Sequence, residues 1–361
     1  MANVKQKHKR MNPLLSPNDE QEVPTKFEEM KKAERKNLLI VFAIILTLLV
    51  LGIGLYIFSR TYVKAWRLGV PMNPAAFESI LGRSIPALIA MGGSAFLIAV
   101  VSLSFQTIVD SKILTPSMIG FDSIFMGTQT LIVFLFGTTT PLFLNPHVNF
   151  IVSSTTMVVI SFFMYSAVLR RSKNNMVFLL MFGLVLSGIV SSGTRYLQTI
   201  MSFYEFTQVQ ALINVSLNNV NQALIYMVVP LMLILALFMI FRHRTYNVLT
   251  LGSEQARGLG VDYQKELNFN LILIAIGMSL STALIGSLTF LGLLAVNFAR
   301  MILKTHRHLP LFIISGLVAV ITLILGEAVV ELIQGAVPVT VVINLVGCSW
   351  VFYYIIKENK I

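Results

Sequence analysis

The sequence predicts an all-helical membrane protein of about ten spans, and three observations carry that expectation. Of 361 residues, 56% are apolar and only 12% charged, the mean hydropathy is +0.79, and long apolar runs recur along the chain. Soluble domains carry about 25% charged residues. Half that share cannot cover a water-facing surface, which excludes the soluble enzyme classes. The runs lack the roughly ten-residue alternation of outer-membrane strands, and hydrocarbon satisfies no backbone N–H or C=O, so the runs are helices.

Taken in order, residues 1–37 hold nine Lys/Arg interleaved with acids and prolines and show no apolar period, which predicts a polar, basic cytoplasmic tail. A secretory signal would reach its apolar core and cleavage site within about 30 residues. Here the first apolar run covers 38–58, long enough to be a retained anchor, since about 20 helical residues cross the ~30 Å hydrocarbon core. Further runs at 84–106, 117–137, 148–169, 176–193, 222–241, 268–288, 289–303, 309–333 and 338–356 complete ten. The run 289–303 is short, so it must be tilted, broken or sheltered by neighbours. With the N-terminus in the cytoplasm, 22 of the 27 Lys/Arg fall on the inner side and five outside, namely Arg60, Lys64, Arg67, Arg83 and Arg195. That asymmetry is the positive-inside pattern and puts both termini in the cytoplasm. The domain plan is therefore a tail at 1–37 and a transmembrane domain at 38–356.

The net charge of +11 does not point to nucleic acid, because it is spread over the tail and inner loops and forms no phosphate-tracking face. The single cysteine, Cys348, allows no internal disulfide and no cysteine-based metal site. His306 and His308 stand two residues apart, a spacing that does not present both to one metal on a helix, so no metal or other cofactor is expected. No Gly-Lys dipeptide occurs, so a phosphate loop is absent and energy from ATP would need another chain. Met91-Gly-Gly-Ser-Ala95 and Gly183-Leu-Val-Leu-Ser-Gly188 have the small residues that let helices approach closely in lipid.

The longest internal polar segment, 242–266, is built like a docking knob. Ser253 is placed to cap a short helix running through Arg257, Gly258 and Gly260 to end it, and Asp262 to cap the next helix. Leu249, Leu251, Ala256, Leu259 and Val261 would give it an apolar contact face. An ordinary connecting loop with one turn of helix is the plainer alternative for this segment taken by itself.

Within it, Leu249-Thr-Leu-Gly252-Ser-Glu-Gln-Ala256-Arg-Gly-Leu259-Gly260-Val261 resembles the L-x-L-G-x-x-x-A-x-x-L-G-V motif of the FecCD family, the permeases of importers for iron-siderophores, haem and vitamin B12. Gly286-Ser-Leu-Thr-Phe290-Leu-Gly292-Leu293, ending with Arg300, resembles that family's G-x-I-x-F-x-G-L-x-x-P-H-x-x-R. Upstream, Pro86, Gln106, Pro116 and Gly120 keep the spacing of R-x-P-R…Q-x-x-x-x-N-P-L-A-x-P-x-x-x-G, and the segment from Pro338 to Gly347 is similar to the family's ending. The match covers about 80–356. Departures are Ser111-Lys-Ile-Leu114 in place of N-P-L-A, Val296-Asn297 in place of P-H, Ser84 and Ala87 in place of the two arginines, and Ile324 in place of an acid. Around 106–122 the pattern is similar to the iron-chelate branch that includes petrobactin- and anguibactin-type permeases.

The resemblance implies a type II ABC-importer permease fold in a bacterial cytoplasmic membrane. It also implies separate cytoplasmic ABC ATPase subunits, an extracytoplasmic substrate-binding protein and a second permease subunit, identical or not. Leu251, Gly252, Ser253, Glu254, Ala256, Arg257, Leu259 and Gly260 would then be the ATPase-coupling residues, within coupling helices at about 249–266. Ser111, Lys112 and Ile113 match the position of the cytoplasmic gate, a solvated loop being the other possibility. Arg83 and Arg67, with Glu327 and Glu331 one turn apart, are candidates for docking the binding protein; snorkelling of Arg83 and plain hydration of the glutamates are their alternatives. Asp122 could serve a proton-coupled carrier, but a structural role near the Gly120 turn is preferred, because no intramembrane histidine or evident inverted repeat accompanies it. The expected function is inward transport of an iron-siderophore. Haem or vitamin B12 import on the same scaffold and an ATP-independent secondary carrier are the alternatives.

Overall fold

A computed structural model describes residues 17–63, 74–171, 176–213, 221–333 and 337–358, which contain helices and turns and no strand. The chain divides into two units, Met1–Leu46 and Thr47–Ile361. Helix α1 (Pro17–Phe58) begins inside the segment expected to be tail and ends in a π-helical turn, Ser59–Val63. There follow α2 (Pro74–Val109), a 3₁₀ turn (Pro116–Ile119), α3 (Phe121–Phe136), the single turn α4 (Pro141–Leu144), α5 (Pro146–Arg171) and α6 (Met176–Ile200). The chain continues through α7 (Phe203–Ile213), α8 (Gln222–Phe241), α9 (His243–Leu249), α10 (Ser253–Gly258), α11 (Tyr263–Ile285), α12 (Leu291–Leu303), α13 (His308–Leu332) and α14 (Val339–Glu358).

Each of the ten apolar runs falls on a helix. Seven are long and apolar enough to cross a membrane, while Phe121–Phe136, Leu291–Leu303 and Val339–Trp350 are shorter. Boundaries moved where polar residues masked a helical end. Helix α2 starts at Pro74 rather than 84 because Glu78 and Arg83 interrupt the apolar count, and α6 runs to Ile200 through Thr194, Arg195 and Gln198. The short α12 is sheltered, as its length requires: Leu291–Val296 and Ala299 are all buried.

Helix α2 is the centre of the second unit, with 78% of its apolar window buried within the chain, against 17% for α6. It packs on α8, α11, α12 and α13, and each contact is made through a glycine. Gly93 of α2 meets Val229 of α8, Gly277 of α11 meets Val101, Gly292 of α12 meets Ser102, and Gly316 of α13 meets the Phe96 ring. Lipid gives helices no hydrophobic reason to associate, so close backbone approach through small residues and the dispersion contacts it allows hold such a bundle together. Pro86 sits inside α2 and cannot donate to the Gly82 carbonyl four residues back; the Gln222 side-chain amide donates to that carbonyl instead, at 3.4 Å.

Helix α3 is joined to its neighbours by polar seams. Ser123 shares hydrogen bonds with Ser187 and Ser191 of α6 at 2.7 and 2.9 Å, and Gln129 donates to Asn149 and Ser153 of α5 at 2.9 and 2.8 Å. Between α11 and α12 the backbone of 286–288 is irregular yet buried, a geometry that survives at membrane depth only where protein covers it. Thr289 in this junction donates to Oδ2 of Asp122 at 2.5 Å. Asp122 therefore ties the start of α3, just after Gly120, to the α11–α12 junction.

Candidate functional site

The knob is built from the end of α8 onward. After α9, Thr250 and Leu251 turn the chain and Gly252 takes φ 88°, a left-handed conformation that favours glycine. Helix α10 then occupies Ser253–Gly258 with Gly252 at its N-cap and no side-chain cap, so Ser253 is the first helical residue and not the cap expected of it. Its far end is a Schellman motif: Gly260, at φ 83°, donates to Arg257 O at 3.0 Å, and Val261 donates to Ala256 O at 3.0 Å. Asp262 caps α11 as predicted, accepting from Lys265 N at 3.3 Å, and its hydrogen bond to the Lys265 side chain holds its carboxyl below the usual range. Two tight turns thus bracket a six-residue helix in a fixed attitude.

The apolar face divides in two. Leu249 and Ala256 are buried and fasten the knob to the rest of the chain, whereas Leu251 (48% exposed) and Leu259 (62% exposed) point outward. Gly252, Ser253, Glu254, Arg257 and Gly260 are exposed as well. Of the eight residues expected to couple, Ala256 alone faces inward. The outer surface therefore offers two leucines flanked by one acid and one base.

Beneath the knob lies a polar network that sequence reasoning missed. Tyr246 of α9 is fully buried, donates to Asn270 Oδ1 of α11 at 2.5 Å, and packs against the rings of His308 and Phe312 of α13 at 5.9 and 5.3 Å. Burial pushes its hydroxyl up to about 12, so it remains a donor. Asn270 in turn donates to Glu266 O at 2.7 Å, and Glu266 pairs with Arg242, whose guanidinium lies over the Phe238 and Phe269 rings. The only sequence sign was a set of single polar residues at the ends of apolar runs, which is also what ordinary helix ends look like.

The candidate gate 111–113 follows α2 through Asp110, at φ 53°. Ser111 N donates to Gln106 O at 3.1 Å, and Asn297 Nδ2 of α12 donates to Lys112 O at 3.0 Å. Lys112 is exposed, with Ser111 and Ile113 partly so. Two of the motif departures, 111–114 and Asn297, are thus bonded to each other.

The docking candidates separate. Arg83 is exposed, and Arg67 lies outside the described residues. Glu327, expected at a docking surface, is buried at 6% exposure, because α13 packs that face against the π-turn after α1. Glu331 lies 3.9 Å from Arg60, which also donates to the Tyr56 hydroxyl, and neither partner is well exposed. Among the described residues no group of three His, Cys, Asp or Glu could hold a metal.

Residues 38–357 match the model of the FecCD transport family. The petrobactin import system permease protein YclO of Bacillus subtilis is 35% identical over 319 residues, covering 88% of this chain and 97% of the relative. The petrobactin import system permease protein FatC of Bacillus anthracis is 30% identical, covering 79% and 78%. A solved structure described as a metal-chelate type ABC transporter in an inward-facing conformation superposes with a TM-score of 0.73, at 19% identity, over 88% of this chain and 99% of that one.

Proposed function

The chain belongs to the FecCD transport family, and from that premise we propose that it is the permease subunit of a bacterial importer that carries an iron-siderophore inward. It is a multi-pass protein of the cytoplasmic membrane. ATP hydrolysis falls to separate ATPase subunits, a binding protein delivers cargo from outside, and a second permease completes the pathway. Ten helices cross, seven long and three short, with both termini and the knob on the cytoplasmic side, in a domain spanning 38–356 behind a tail at 1–37. The iron chelate is cargo.

The observation that carries this reading is the knob itself: a short helix locked between two left-handed glycines, glued inward by Leu249 and Ala256 and presenting Leu251 and Leu259 outward. Such a body fills a groove on a partner and passes on a push without deforming. Leu251, Gly252, Ser253, Glu254, Arg257, Leu259 and Gly260 are its docking residues with Ala256 seating them, 111–113 the cytoplasmic gate, and Arg83, Arg67 and Glu331 the binding-protein side.

The test is deletion of the gene and uptake of radiolabelled iron on a panel of siderophores, with complementation by the wild type and by Gly260→Trp. Loss of one chelate's uptake, restored by the first copy and not the second, is the expected result. Undiminished uptake of every chelate in a strain without redundant permeases would move the assignment to haem, cobalamin or a carrier that needs no ATPase.

A further inference from the structure

A knob that only docks would swing on its connections; one that works a gate must be fastened to it. The geometry points to Asn247, His308 and Thr107 as positioning residues that carry the knob's movement to the gate loop, an inference that rests on the coupling role proposed above. Asn247 is on α9, two residues before the helix ends, and its Oδ1 accepts both the backbone N–H of His308, at 2.9 Å, and the ring Nδ1–H of His308, at 2.7 Å. Because the same oxygen meets a backbone donor, the amide cannot be flipped, and Nδ1 must carry a proton. His308 Nε2 then faces Thr107 Oγ1 of α2 at 2.9 Å. His308 is 3% exposed, so these bonds have no water to compete with.

Each link has a mechanical meaning. His308 opens α13, and its N–H is one of the orphan donors of a helix start. Its acceptor comes from α9 and not from its own helix, so the start of α13 must follow α9. Thr107 lies three residues before Asp110, where α2 gives way to the loop 110–113, and its one hydroxyl proton has two acceptors within reach, His308 Nε2 and Leu103 O, the latter at 2.8 Å. The ring stack of Tyr246, His308 and Phe312 fixes the imidazole plane, so the chain has little slack. A displacement of the knob thus reaches α13 and α2 at the gate through the side chains of Asn247, His308 and Thr107 and no flexible segment.

The experiment uses the assembled transporter of permease, ATPases and binding protein in lipid vesicles, with ATP hydrolysis and chelate uptake measured together. His308→Phe keeps the ring stack and removes both ring hydrogen bonds; Thr107→Val removes the α2 end, and Thr107→Ser restores it. The expected result is that ATPases still co-purify and hydrolyse ATP within about twofold of wild type, while ATP spent per chelate imported rises about fivefold or more in His308→Phe and Thr107→Val. The double variant should be no worse than the worse single one, and Thr107→Ser should be near wild type. An unchanged ratio in Thr107→Val, or hydrolysis and uptake falling in proportion, overturns the inference. Should His308→Phe fail to fold, Thr107→Val against Thr107→Ser decides alone. Absence of any ATPase bound to the wild-type chain would instead overturn the coupling role on which the inference rests.

Discussion

A β-carbon on Gly183 would overlap the side chain of Ile119 and stand 2.9 Å from the Ile119 carbonyl oxygen, so α6 crosses the 3₁₀ turn with no room for a methyl group. Gly188, five residues on, has nothing among the described residues within 4 Å of the same added atom. Gly183→Ala should therefore cost about 1–3 kcal/mol through overpacking, and Gly188→Ala essentially nothing. Thermal melting of the purified protein in detergent checks this; equal melting points for the two variants would refute the contact.

The knob separates anchoring from docking, so its variants should fail in different ways. Leu259→Glu changes an exposed side chain and should leave melting unchanged while ATPase co-purification falls. Ala256→Asp puts a charge at a fully buried position and should destabilise the knob itself. Gly260 has open space around it, so what limits substitution is its φ of 83°. Gly260→Asn, which tolerates that conformation, should dock nearly normally, whereas Gly260→Trp should not. Pull-down against the ATPase alongside a melting curve distinguishes these outcomes.

These contrasts mark what was legible in the sequence. That every apolar run is helical was, since apolar backbone in a bilayer has no other stable form here, while three of the ten runs are shorter than a spanning helix. So were the knob's turns, because Gly252, Gly260 and Asp262 act on backbone a few residues away. Whether a small residue packs or stays open depends on the element opposite, and the glycine pairs 92–93 and 183–188 show it: Gly93 and Gly183 are pressed against Val229 and Ile119, while Gly92 and Gly188 meet nothing among the described residues. The same limit hid the bonds of His308, whose partners come from 201 and 61 residues away. It also made Glu327 look like a surface acid.

For docking of the binding protein, Arg83 and Glu327 should behave oppositely. Arg83 is exposed, so Arg83→Glu should lower the affinity of the permease for its binding protein, with the loss greatest at low salt, where charges are least screened. Glu327→Gln should leave that affinity unchanged, because the side chain does not reach a surface. Binding titrations at two ionic strengths would show it. A large effect of Glu327→Gln would mean that the π-turn after α1 opens when the partner arrives.

The bond between Thr289 and Asp122 decides between structure and proton chemistry at the one acid near the start of α3. If Asp122 is a tie, Thr289→Ser should be neutral and Thr289→Val should cost about 1–3 kcal/mol, since it leaves a buried carboxylate oxygen without its donor. Asp122→Asn keeps an acceptor for Thr289 but cannot exchange a proton at neutral pH, so uptake by this variant should stay near wild type. Melting curves for the threonine variants and chelate uptake for Asp122→Asn are the measurements. Uptake lost in a stable Asp122→Asn protein would show that the carboxylate takes part in transport and would revive the proton-coupled alternative. Uptake retained, with Thr289→Val destabilised, means that the acid sits at membrane depth because the α11–α12 junction is irregular there and needs a side chain from α3 to hold it.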